Sequence, residues 1–94
     1  MMLNETIKAL RQSFHLSQVE LAKALGVSKQ CVSNWENDNI QPSIDMLVRL
    51  AGFFHVTCDY LLGLERTQLV DVSGLSDTEI AHIKLLISDL KTKG

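Results

Sequence analysis

From Ser28 to Asn37 the chain reads SKQCVSNWEN, a run rich in side chains that hydrogen-bond without reacting. If the run is helical, Val32 and Trp35 turn inward, and Lys29, Gln30, Ser33, Asn34 and Asn37 are left pointing elsewhere. Glutamine can bond bidentately to adenine, lysine reaches guanine O6 and N7 or a phosphate, and the N-terminal residues of such a helix are best placed for base contacts. This chemistry reads base edges in a major groove. The means for catalysis are thin by contrast. His15, His55 and His82 fall on different elements, no paired acid and base stand out, and no glycine loop could cradle a phosphate. Cys31 and Cys58 have no metal-ligand spacing and read as reduced, cytosolic thiols. We expect no enzyme, no cofactor and no metal.

The elements that must position these residues begin at Ser17. Ser17 is a good N-cap, and Glu20 three residues on completes a capping box. Leu21, Ala22 and Leu25 recur at helical spacing, and Gly26 follows where a helix end favours a residue at ease with positive φ. Ser28 then offers a fresh N-cap. Ala22 is small enough for a close helix crossing, Gly26 opens the turn four residues later, and Val32 closes the wedge six residues after that. A helix-turn-helix meets all three demands; an ordinary helical hairpin would meet them only by accident.

Residues 3–63 resemble the Xre family of bacterial and phage repressors, the class of the lambda and 434 repressors and Cro. The matching pieces are IKALRQ (7–12), LSQVELAKALGVS (16–28), VSNWEN (32–37), PSIDMLVRLAGFF (42–54) and VTCDYLLG (56–63). The resemblance implies an all-α fold: a five-helix lambda-repressor-like domain that docks as a dimer on double-stranded operator DNA. It implies that Arg11 pairs with Glu36, and that Asn37 touches the phosphate backbone. It also places Gln18 on a phosphate, as the first turn of a helix readily does. The candidate DNA-binding set is therefore Gln18, Ser28, Lys29, Gln30, Ser33, Asn34 and Asn37. This chain departs from the family at two turns: Phe14–His15 stands where glycine is usual, and Asp38–Asn39–Ile40–Gln41–Pro42 replaces glycine followed by basic residues.

The remaining helices follow from periodicity. A first helix is predicted over about Asn4–Ser13, capped by Asn4, with Leu3, Ile7, Leu10 and Phe14 inward. After Pro42–Ser43 a fourth is predicted to bury Ile44, Leu47, Val48, Ala51 and Phe54. Val56 and Thr57 open a fifth, with Leu61 and Leu62 inward and Gly63 at its end. The domain spans 1–63, a linker with weak strand character at Leu69–Val72 spans 64–75, and a C-terminal helix is expected in 76–94, opened by a capping box at Ser76–Glu79. There Ile80, Ile83, Ile87 and Leu90 step by three, four and three, with Leu86 widening the stripe. Two heptads are too short to stand alone, so the stripe must be covered. It folds back on its own domain or pairs with a second copy, and pairing is the favoured reading.

The net charge of −2 suggests modest non-specific affinity for DNA, with Lys29, Lys23 and Lys8 as the positive footprint. No apolar run approaches a membrane span, and Met1–Leu3 leads into a helix rather than a signal peptide, so a cytoplasmic protein is expected. No residue pattern specifies a small-molecule effector. The sequence thus points to a sequence-specific transcriptional regulator, a homodimeric repressor on an inverted repeat. The alternative is a protein-interaction module on the same fold, such as an antitoxin, which the acidic balance and the apolar tail keep open.

Overall fold

Side-chain oxygens start the helices of this chain. The computed structural model describes residues 2–65 and 72–93, which form α1 (Leu3–Ser13), α2 (Gln18–Leu25), α3 (Lys29–Glu36), α4 (Ile44–Phe54), α5 (Cys58–Leu61) and α6 (Asp77–Lys93). No strand occurs among the described residues. The hydroxyls of Ser17, Ser28, Ser43 and Thr57 accept the amides of Glu20, Cys31, Met46 and Tyr60 at the starts of α2 to α5. Ser76 does the same for Glu79 ahead of α6, and Glu79 returns the bond to the Ser76 N–H at 2.9 Å. Glu20 likewise accepts the Ser17 N–H at 2.9 Å. The bonds from Ser17, backbone first and hydroxyl second, hold the Glu20 carboxyl below its ordinary value, with Lys23 adding a smaller attraction.

At α1 the expectation is corrected. Asn4 is not the N-cap. Met2 is, and Glu5 accepts the Met2 N–H at 3.0 Å, so the helix begins at Leu3. Asn4 sits inside the first turn, where its amide reaches the Glu36 carbonyl at 3.4 Å.

The core gathers Ile7 and Leu10 of α1, Leu21, Ala22 and Leu25 of α2, and Val32 and Trp35 of α3, with Leu50, Ala51, Phe54, Val56 and Leu61 closing it from below. A core of this kind excludes water but does not by itself fix the rotation of its helices. Phe14 lies at its edge, its ring 5.0 Å from that of Phe54 in an edge-to-face pair, a geometry that aligns the ring quadrupoles favourably.

Three burial expectations fail, the first at Phe14, expected inward, which caps α1 and is 42% exposed. In α4 the buried residues are Leu50, Ala51 and Phe54, whereas Ile44 is 80% and Val48 58% exposed. The helix is apolar on several faces, and packing against α5 rotates it so that Leu50 takes the inward place. Leu62 is the C-cap of α5 and turns outward, leaving Leu61 alone buried.

The linker strand expected at Leu69–Val72 falls almost wholly outside the described residues; Val72 itself carries no regular structure. In α6, Ile80 and Ile83 are half-buried, but Leu86 is 59% and Leu90 62% exposed, with Leu85 and Ile87 also open. The C-terminal half of the stripe is therefore exposed in the single chain.

Among the described residues, three turns carry a non-glycine residue at positive φ: His15 at 58°, Asp38 at 59° and His55 at 56°. His15 thus takes a left-handed conformation at the turn where the resemblance leads one to expect glycine. Its N–H donates to Gln12 O at 3.0 Å, and the Leu16 N–H donates to Arg11 O at 3.1 Å, which closes α1. An L-residue in this region is strained by roughly 1–2 kcal/mol. His15→Gly should relieve that strain and raise stability by about 1 kcal/mol, read as a higher urea midpoint at unchanged slope. An unchanged or lower midpoint would show that the His15 side chain makes contacts worth as much as the strain.

Candidate nucleic-acid interface

The turn between α2 and α3 sets the angle at which α3 is presented. Gly26 adopts φ 72° and ψ 31°, its N–H donates to Lys23 O at 3.3 Å, and the Val27 N–H reaches back to Ala22 O at 2.9 Å. This pair of bonds satisfies the last carbonyls of α2 and turns the chain sharply. Two residues later Ser28 caps α3. Ala22 and Val32 are both buried where the helices cross, as the expected wedge requires.

With Val32, Trp35 and Glu36 inward, α3 leaves one side open. Lys29, Gln30 and Asn37 are exposed, Ser33 and Asn34 half-buried, and Ser28 stands exposed at the helix start. Cys31 packs against the core instead of joining this face. Six of the seven candidate residues thus lie on one helix and its cap. The seventh, Gln18, opens α2 and is half-buried.

Glu36 joins the two helices. Its carboxylate accepts Arg11 Nε at 2.7 Å on Oε2 and Arg11 Nη2 at 2.9 Å on Oε1, a two-pronged ion pair. Arg11 Nη1 also donates to Leu16 O at 2.8 Å. The side chains are 2% exposed for Glu36 and 11% for Arg11. The hydrogen bonds that Arg11 donates to Glu36, opposed by burial and aided by the Glu36 charge, hold the guanidinium above its ordinary value. Gln18 Nε2 donates to Glu36 Oε1 at 3.1 Å. This bond was not expected. Gln18 keeps one side-chain N–H and its backbone N–H, a first-turn donor with no partner inside the helix. No sequence pattern signals the contact, because Gln18 and Glu36 meet across eighteen residues.

On the open side the amides are ordered by their neighbours. Gln30 Nε2 donates to Asn34 Oδ1 at 3.0 Å, and Asn37 Nδ2 to Ser33 Oγ at 3.3 Å. The Asn34 backbone carbonyl accepts the N–H groups of Asn39 at 2.9 Å and Ile40 at 3.4 Å, pinning the loop that follows. Lys29 supplies the positive charge in α3. Among the described residues no group of His, Cys, Asp and Glu could hold a metal ion, and no helix is long and apolar enough to cross a membrane.

A helix-turn-helix family profile matches residues 7–61, more than half of the chain. The chain belongs to the helix-turn-helix family. Within it, the fold is of the lambda and 434 repressor kind. The transcriptional regulator ImmR of Bacillus subtilis (strain 168) is 32% identical over 93 residues, covering 97% of this chain and 69% of ImmR. The c2 repressor of Salmonella phage P22, solved in complex with a synthetic operator, superposes with a TM-score of 0.65 at 31% identity, covering 69% of this chain and 98% of that one. A transcriptional regulator from Listeria innocua superposes with a TM-score of 0.64 at 28% identity, covering 97% of this chain and 94% of that one. Against four curated relatives the chain spans from 28% to 69% of their length. This is a family of transcriptional regulators and not of enzymes.

The Glu36 cluster predicts an asymmetry. Arg11→Ala strands a buried carboxylate and should cost about 3–5 kcal/mol in urea unfolding. Arg11→Met combined with Glu36→Leu should recover most of that loss, because an apolar pair of similar volume needs no desolvation of charge. A double variant no more stable than Arg11→Ala would mean that the bonds to Leu16 and Gln18, not the stranded charge, dominate.

Proposed function

We propose that this chain is a sequence-specific DNA-binding transcriptional regulator, acting in the cytoplasm as a homodimeric repressor on an inverted-repeat operator. One observation carries the reading: α3 holds its apolar residues and Glu36 inward while Ser28, Lys29, Gln30, Ser33, Asn34 and Asn37 line its open side. A helix so equipped enters a major groove with its N-terminal end toward the bases. Lys29 and Gln30 take that position, and Ser33 and Asn34 follow one turn on. Ser28, Asn37 and Gln18 hold the phosphates on either side, which fixes register without carrying sequence information. The P22 c2 repressor, of similar fold, has been solved on an operator, which supports carrying this geometry over. Repression follows from occupancy, since a bound dimer excludes polymerase from the same duplex.

The second copy is assigned to α6. Its open side chains, Leu86, Ile87 and Leu90, continue a stripe begun by Ile80 and Ile83, and a helix draws most of its stability from packing such an apolar face. Pairing α6 with α6 buries that stripe and places two recognition helices for half-sites about one DNA turn apart.

Two experiments test these parts separately. Selection from a random duplex pool at moderate salt should enrich an inverted repeat, and Gln30→Ala/Asn34→Ala should fail to select it at an unchanged melting temperature. Failure of the unmodified protein to enrich any duplex, even at low salt, would remove the DNA reading and favour the interaction module. For α6, Leu86→Glu/Leu90→Glu should convert the dimer to a monomer in sedimentation equilibrium. These side chains are open in the single chain, so the fold should survive; a double variant that stays dimeric would place the interface elsewhere.

A further inference from the structure

The charges of α6 are divided along its length. Asp77 and Glu79 stand in its first turn, and Lys91 stands exposed near its far end. The stripe between them, Ile80, Ile83, Ile87 and Leu90, takes heptad positions a, d, a and d. One flank of that stripe carries Asp77, Lys84 and Lys91, and the other carries Glu79 and Leu86. Ile80 and Ile83 are half-buried, whereas Leu86, Ile87 and Leu90 are open. A second copy of α6 could cover the stripe running the same way or the opposite way. Flanking residues decide between the two, because their charges set the orientation of paired helices.

We infer that two copies of α6 pair antiparallel, with Ile80 of each facing Leu90 of the other and Ile83 facing Ile87. This rests on the α6 pairing proposed above and specifies it. In an antiparallel pair each flank meets the same flank of its partner. Asp77 then lies beside Lys91 of the second copy, twice over by symmetry. Leu86 meets Leu86 across the twofold axis, where both leave water. Lys84 meets Lys84 once, and its long stem lets the charge turn out into solvent. The positive N-terminal end of each helix lies beside the negative C-terminal end of the other.

In a parallel pair each flank meets the opposite flank. Leu86 falls beside Lys91 of the second copy, an apolar side chain set against a charge. Glu79 would face Lys84, but its carboxylate is held at the start of its own helix, where it accepts the Ser76 N–H at 2.9 Å. Both acidic first turns and both positive helix ends crowd together at one end of the pair. Exposed ion pairs are weak singly. They choose the orientation, and the apolar stripe supplies the association.

Orientation fixes where the two domains stand. Each domain precedes α6 and so leaves from its Asp77 end. Antiparallel pairing sets those ends about 24 Å apart, the rise of nearly the whole helix. Parallel pairing leaves them about 8–10 Å apart, the ordinary distance between packed helices. The antiparallel span is nearer to the roughly 34 Å between half-sites one DNA turn apart.

The test mixes full-length chains carrying Ile80→Cys with full-length chains carrying Leu90→Cys. After a short thiol cross-linker and digestion, joined α6 peptides are identified by mass, which sets aside links through Cys31 and Cys58. The antiparallel pair should join position 80 to position 90 and leave 80 to 80 and 90 to 90 unjoined, because like positions then lie about 15 Å apart along the axis. Links from 80 to 80 and from 90 to 90 without the mixed product would show a parallel pair and overturn the inference. All three links together would mean no fixed orientation and overturn it as well. Should either substitution leave only monomers in sedimentation equilibrium, Lys84→Cys, outside the stripe, decides alone. It links to itself in an antiparallel pair and does not in a parallel one, where it faces Glu79 of the second copy. If the unmodified chain is a monomer, the α6 pairing falls and the orientation with it; a dimer with parallel links overturns the orientation alone.

Discussion

The buried Glu36 carboxylate is the constraint on which the arrangement of the first three helices depends. Apolar burial draws helices together but has no direction, so it leaves each free to turn about its own axis. A carboxylate taken out of water costs several kcal/mol unless its oxygens are bonded. Glu36 meets that demand from two helices: Arg11 of α1 occupies both oxygens and Gln18 of α2 shares one of them. Asn4 adds a bond to the Glu36 backbone carbonyl. These bonds form together only when α1, α2 and the end of α3 stand in one mutual rotation. That rotation faces Val32 and Trp35 to the core and leaves Gln30 and Asn34 open. The polar cluster thus sets which side of α3 stays open.

The turns hold the same geometry by different means. Between α2 and α3, Gly26 adopts the left-handed conformation without a Cβ penalty. After α1 and α3, His15 and Asp38 adopt it as L-residues and carry the strain. Asp38 belongs to a loop whose next two amides, Asn39 and Ile40, are tied to the carbonyl of Asn34. The end of α3 is therefore fixed by backbone bonds, in a segment without lysine or arginine. An interface with DNA on this side, as proposed, would rely on amide geometry more than on charge.

What the residues revealed before the structure depended on how local each interaction was. The Ser17, Ser28, Ser43 and Ser76 caps were legible because cap and capped amide lie three residues apart. The inward pair of α3 was legible because its other residues are polar. In α4 the pattern did not discriminate. Ile44, Leu47 and Val48 satisfy the helical period as well as Leu47, Leu50 and Ala51 do, and contact with the rest of the domain made the choice. Asn4 looked like the better cap, but Glu5 satisfied the Met2 amide and moved the start of α1. The family resemblance pointed to Arg11–Glu36; nothing pointed to Gln18 as its third member. The Gln30–Asn34 bond lies at a spacing any helix brings together, yet which amide donates is a property of the folded pair.

These features together bear on why the tail matters. Under the proposed reading, a DNA-contacting face with Lys29 as the cation on its helix, followed by an acidic turn, would gain little from counterion release at each half-site. If α6 joins two copies as proposed, the second half-site is bound at the effective concentration set by the connection and not from bulk solution, so two weak contacts combine into a firm one. Under that arrangement α6 gains its cover and the reading face gains its affinity from the same event. Association would then control occupancy of the operator, because each half binds too weakly alone to compete with the rest of the DNA.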